Sequence, residues 1–86
     1  MQNELEVSGY DTVHQFFVEW PVISTKDHQW SLSLRKPIET GAWLFVRRPD
    51  QRAWPIPLRV VDCAPVPTGG LYLIRAVSSQ LVRKLV

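Results

Sequence analysis

At 86 residues the chain has room for one domain and no second, and it is long enough to bury a hydrophobic core without covalent staples. Its lone cysteine, Cys63, excludes an intramolecular disulfide framework and points to a reducing, cytoplasmic setting. The formal net charge of +2 excludes a strongly basic or acidic chain, and no apolar run approaches the roughly 20 residues a helix needs to cross a bilayer. The leading residues carry Glu4, Glu6 and Asp11 where a secretory signal needs positive charge and then an apolar stretch, so a soluble protein without a membrane segment is expected.

Taken in chain order, residues 1–10 are polar and acidic and read as a flexible arm, with at most a short strand around residues 5–7. Residues 12–23 read as one long strand with Phe16, Val18 and Trp20 on one face and Gln15, Phe17 and Glu19 on the other. Pro21 places a bulge or an edge in it, because proline donates nothing to a ladder. A polar connection, STKDHQ, follows. Residues 30–35 alternate cleanly, with Trp30, Leu32 and Leu34 predicted inward and Ser31, Ser33 and Arg35 outward.

A turn over residues 37–41 leads to a strand over residues 42–48, where Trp43, Leu44, Phe45 and Val46 are consecutively apolar and imply burial on both faces or a partner on one. Pro49 and Asp50 start a hairpin. The next strand covers residues 54–63 and begins Trp-Pro-Ile-Pro, whose two prolines confine that part to an edge or a non-ladder position. Gly69 and Gly70 permit the tight return into a strand over residues 71–77. Residues 78–86 have a serine cap and an apolar stripe of Leu81, Val82 and Leu85, the pattern of a short helix docked on the barrel. The fold class is therefore all-β: a small antiparallel barrel of five to six strands in residues 11–86, with a short C-terminal helix.

The order of these elements is similar to the core of a PilZ domain. Pro37, Ile38, Glu39, Thr40 and Gly41 match that family's Pro-Leu-x-x-Gly segment, and Leu58, Arg59, Val60 and Val61 match its Ala-Arg-Val-Val-like strand. The resemblance spans about two thirds of the chain and implies a six-stranded barrel. Many such domains bind cyclic di-GMP through an Arg-x-x-x-Arg motif and an Asp-x-Ser-x-x-Gly motif. Here no arginine precedes Arg35, and Ser24, Lys26 and Gln29 stand at the positions of the Asp, Ser and Gly. The resemblance thus implies a degenerate member that does not bind cyclic di-GMP in the usual way and acts through protein contacts.

The charge is distributed unevenly. Glu4, Glu6, Asp11 and Glu19 crowd the leading residues, whereas Arg35, Lys36, Arg47, Arg48, Arg52, Arg59, Arg75, Arg83 and Lys84 follow. The acidic segment is expected to lie against the basic strands and partly neutralise them. His14, Asp27, His28 and Cys63 lack the paired spacing of a metal site, so no metal or other cofactor is expected. Cys63 follows Asp62, whose charge disfavours a thiolate, and no general base stands near it in sequence. The chain therefore reads as a non-catalytic binding module. Trp20 and Trp30 are assigned to the core. Trp43, Arg47, Arg48, Arg52, Trp54 and Arg59 form the candidate contact face for a protein partner or a second copy, since Trp and Arg are favoured interface anchors. The alternative is a small barrel that uses the same basic, aromatic hairpin to hold single-stranded nucleic acid.

Overall fold

The computed structural model describes residues 5–50 and 55–78. Arg52, Trp54 and all but the first residue of the expected C-terminal helix lie outside the described residues. What is described is all-β and antiparallel throughout: β1 (Glu6–Tyr10), β2 (Phe16–Glu19), β3 (Ile23–Lys26), β4 (Gln29–Leu34), β5 (Trp43–Arg47), β6 (Ile56–Pro65) and β7 (Tyr72–Ser78). They form one sheet in the order β2-β1-β5-β6-β7-β4-β3.

That order dictates the shape. The two edge strands, β2 and β3, are consecutive in sequence and separated only by residues 20–22. A flat sheet of seven strands is about 29 Å wide, whereas the chain from Glu19 to Ile23 can span at most about 14 Å. The sheet must therefore curl until its edges approach, and it does so as a half-barrel. Two bonds fasten the corner: the Ser33 amide donates to the Val22 carbonyl at 3.3 Å, and the Arg35 amide donates to Glu19 Oε1 at 3.0 Å.

The long strand expected over residues 12–23 is not continuous: residues 12–15 lie in the connection after β1, residues 16–19 form β2, and after a break at residues 20–22, around Pro21, Ile23 begins β3. Its break is one reason the described strands number seven rather than five or six. The other is β1. Residues expected in a flexible arm instead form a strand paired on both sides, with Val7 fully buried. The STKDHQ connection also differs from expectation. Asp27 adopts a positive φ of 60°, a conformation aspartate tolerates, and the chain folds into a tight β3–β4 hairpin without glycine.

The half-barrel is filled by one side of six strands, Val7 from β1, Phe17 from β2, Leu32 and Leu34 from β4, Leu44 and Val46 from β5, Leu58 and Val60 from β6, Ile74 and Ala76 from β7, with Ile23 of β3 partly buried against them. Ile38, in the turn after β4, plugs the same core. Burying each of the larger side chains stabilises the fold by about 1.5–3 kcal/mol, which fixes the strand registers. Trp30, Leu32 and Leu34 face this core as predicted, Trp30 only partly covered.

Two expectations of facing are reversed. Phe17 points inward, while Phe16, Val18 and Trp20 are exposed, so Trp20 is not a core residue. Likewise Pro57 is not confined to a sheet edge: it pairs with Phe45 inside the sheet. The hydrogen bonds explain its tolerance. Val60 donates to Ala42 on the β5 side, so by alternation Pro57 would direct its missing donor to the β7 side. Among the described residues the β6–β7 ladder starts at the Leu58–Ser78 pair, so none of its rungs calls on Pro57.

Candidate functional site

The outer surface of β2, β1, β5 and β6 concentrates apolar side chains that the half-barrel does not use. Strand β5 shows why. Trp43, Phe45 and Arg47 share one face, and Leu44 and Val46 share the other. Turning Trp43 and Phe45 inward would drag the Arg47 charge with them, at a desolvation cost well above the gain from two aromatics. The smaller Leu44 and Val46 take the core instead. The apolar run of β5 therefore reflects a buried inner row and an exposed outer one.

The register assembles the outer residues into two rows. Phe16 faces Tyr10, Tyr10 comes next to Trp43 one step beyond the Gly9–Leu44 pair, and Trp43 faces Arg59. Beside this row run Val18, Ser8, Phe45 and Pro57. The aromatics are well exposed: Tyr10 by 58%, Phe16 by 59%, Trp43 by 43% and Phe45 by 41%. Tyr10 and Phe16 meet edge to face with centroids 5.5 Å apart, a favourable quadrupole arrangement. At the corner where the sheet edges meet, a cleft of about 510 Å³ bordered by Val18, Trp20, Pro21 and Arg35 carries the apolar surface round the β2 edge.

One ion pair is closed within this surface. Arg47 Nε donates to Glu6 Oε1 at 2.7 Å, and the two residues are register partners on β5 and β1. This is the neutralisation of basic strands by acidic leading residues that the charge pattern predicts. The Arg59 guanidinium lies 4.6 Å from the Trp43 ring centroid, within cation–π range. Further round the sheet, Arg75 approaches Asp62 at 3.6 Å.

Of the six residues assigned to a contact face from sequence, Trp43, Arg47 and Arg59 stand together on this outer surface, and Arg48 is exposed just past the end of β5. Arg52 and Trp54 lie outside the described residues. Sequence reasoning missed Tyr10, Phe16 and Phe45. Phe45 could have been found from the parity of Arg47, whereas Tyr10 was hidden by reading its segment as an arm. Cys63 is half-buried beside the core, with its amide bonded to Asp62 Oδ1 at 3.0 Å. Among the described residues no three of the His, Cys, Asp and Glu side chains gather where they could hold a metal ion, and no helix is long and apolar enough to cross a membrane.

No family model, curated protein or solved structure matches this chain.

Proposed function

We propose that this protein is a non-catalytic binding module, PilZ-like in lineage, that works in the cytoplasm through protein contacts made by the outer face of β1, β5 and β6. The observation that carries the reading is the exposed row of Phe16, Tyr10 and Trp43, backed by Phe45, on a surface where Arg47 is paired with Glu6 and Arg59 lies over Trp43. Exposed apolar patches of this extent mark interaction surfaces. PilZ lineage is supported by the matched residues of the turn and of β6. Ile38 plugs the core, and the Gly41 amide donates to the Val60 carbonyl at 2.8 Å, so the two matched segments join each other.

The nucleic-acid alternative is less well served. A stacking platform needs a free ring face and phosphate binding needs unpaired cations. Arg59 covers one face of Trp43, and Glu6 engages Arg47. Calorimetric titration with cyclic di-GMP and, separately, with single-stranded DNA tests the reading. No heat with either ligand is the expected result. Micromolar binding of cyclic di-GMP, or DNA binding that weakens steeply with salt, would overturn it.

A further inference from the structure

Resting on that reading, we infer that the partner of the outer face is a second copy of this chain, the two half-barrels stacking outer face to outer face about a two-fold axis. Size is the first argument. Four aromatics at these exposures, with Val18 and Pro57 between them, present on the order of 500 Å² of apolar surface, since an aromatic side chain offers about 150–250 Å². The polar rim of Ser8, Glu6, Arg47 and Arg59 brings the face close to the ~800 Å² that each partner contributes to a standard stable interface.

Charge is the second argument. What normally keeps a surface from meeting its own copy is like-charge repulsion, and here the Glu6–Arg47 pair is closed within the face and Arg59 is spread over an indole. The face then keeps one uncompensated charge, that of the exposed Arg59 at its rim, too little to call for an oppositely charged partner and, where solvent screens it, too little to bar a second copy. Shape is the third. The rows follow the pleat of a sheet, and the surface that packs on a sheet at about 10 Å with interdigitating side chains is another sheet. The continuous apolar run in β5 is then the pattern of a strand covered on both faces.

The test is the solution mass of the full chain by sedimentation and light scattering over a wide concentration range. The expected result is a concentration-dependent mass reaching twice the 9.9 kDa of one chain. Phe45→Glu should raise the dissociation constant at least tenfold, and the milder Phe45→Ser should do so in part, with far-UV circular dichroism unchanged. Thr25→Glu, on the β3 edge, should leave the mass alone. A mass of one chain at every concentration overturns the inference, as does a dimer that survives Phe45→Glu or dissociates with Thr25→Glu. Hydrogen exchange and iodide quenching separate the two levels of argument. A monomer whose outer face is accessible leaves the protein-binding reading standing and removes only self-association. A monomer whose outer face is protected removes both.

Discussion

Arg59 and Trp43 face each other in register across β6 and β5, and the guanidinium carbon sits 4.6 Å from the ring centroid. The contact links two candidate residues 16 positions apart in the chain and fixes the indole at the centre of the outer face. It also covers one side of the indole, which is then closed to stacking on that side.

A double-mutant cycle with Arg59→Gln and Trp43→Leu measures that contact. The coupling should be about 0.5–1 kcal/mol, the range of a cation–π pair exposed to solvent. Urea denaturation of the four proteins, under conditions where all are monomeric, gives the value. A coupling indistinguishable from zero would mean that the stacked arrangement contributes nothing to the fold.

Gly9 lies in the inward row between Leu44 and Phe17. A β-carbon placed there would come within 2.7 Å of Leu44 Cδ2 and 3.2 Å of the Trp43 carbonyl oxygen. Gly9→Ala should therefore cost about 1–3 kcal/mol, the usual penalty for forcing extra volume into a packed core. In a Leu44→Ala background, where the closer obstacle is gone, the same substitution should cost much less. An unchanged cost in that background would assign the strain to the backbone contact instead.

Neighbouring residues on β5 should behave oppositely. Leu44→Ala empties a site with no exposure and should destabilise by about 2–5 kcal/mol. Phe45→Ala removes a larger side chain from the outer face and should cost the isolated monomer no more than about 1 kcal/mol. Equal costs, measured by denaturation at high dilution, would show that Phe45 is covered within a single chain.

Most of the strand pattern is legible in the sequence because the inner rows of β4, β5, β6 and β7 alternate and their turns carry Pro, Gly or Asp. Facing is harder to read where both parities are apolar. In residues 16–18 two phenylalanines and a valine adjoin, and only the pairing of β2 with β1, which sets Phe17 beside Gly9, decides that Phe17 goes inward. That pairing is non-local and leaves no trace in the local pattern. β1 itself was obscured by its composition. Glu6 reads as solvated until Arg47 is placed opposite it, and Gly9 reads as a breaker until Leu44 is seen to fill its space. The candidate face was half legible for the same reason: Trp43, Arg47 and Arg59 are conspicuous as residue types, whereas Tyr10 and Phe16 join them only through the sheet.

The β1–β2 connection should make stability depend on pH through Asp11. Its buried carboxylate accepts the Val13 and Gln15 amides at Oδ1, each at 2.9 Å, and its backbone exchanges further bonds with His14 and Gln15. The Gln15 amide is the main cause holding this carboxyl below its ordinary value of 3.8; burial opposes the shift, while the Val13 amide and the charges of Lys36 and His14 add to it. Because the folded-state value is the lower one, the unfolded chain takes up the proton first on acidification. The stabilisation is then complete above about pH 3.8 and is lost as pH falls through the folded-state value. Asp11→Asn removes the charge but keeps an acceptor. The wild type should be the more stable of the two at neutral pH, and the gap should close in acid. A gap that stays constant from pH 7 to pH 2.5 in urea titrations would show that the carboxylate charge plays no part in holding the turn.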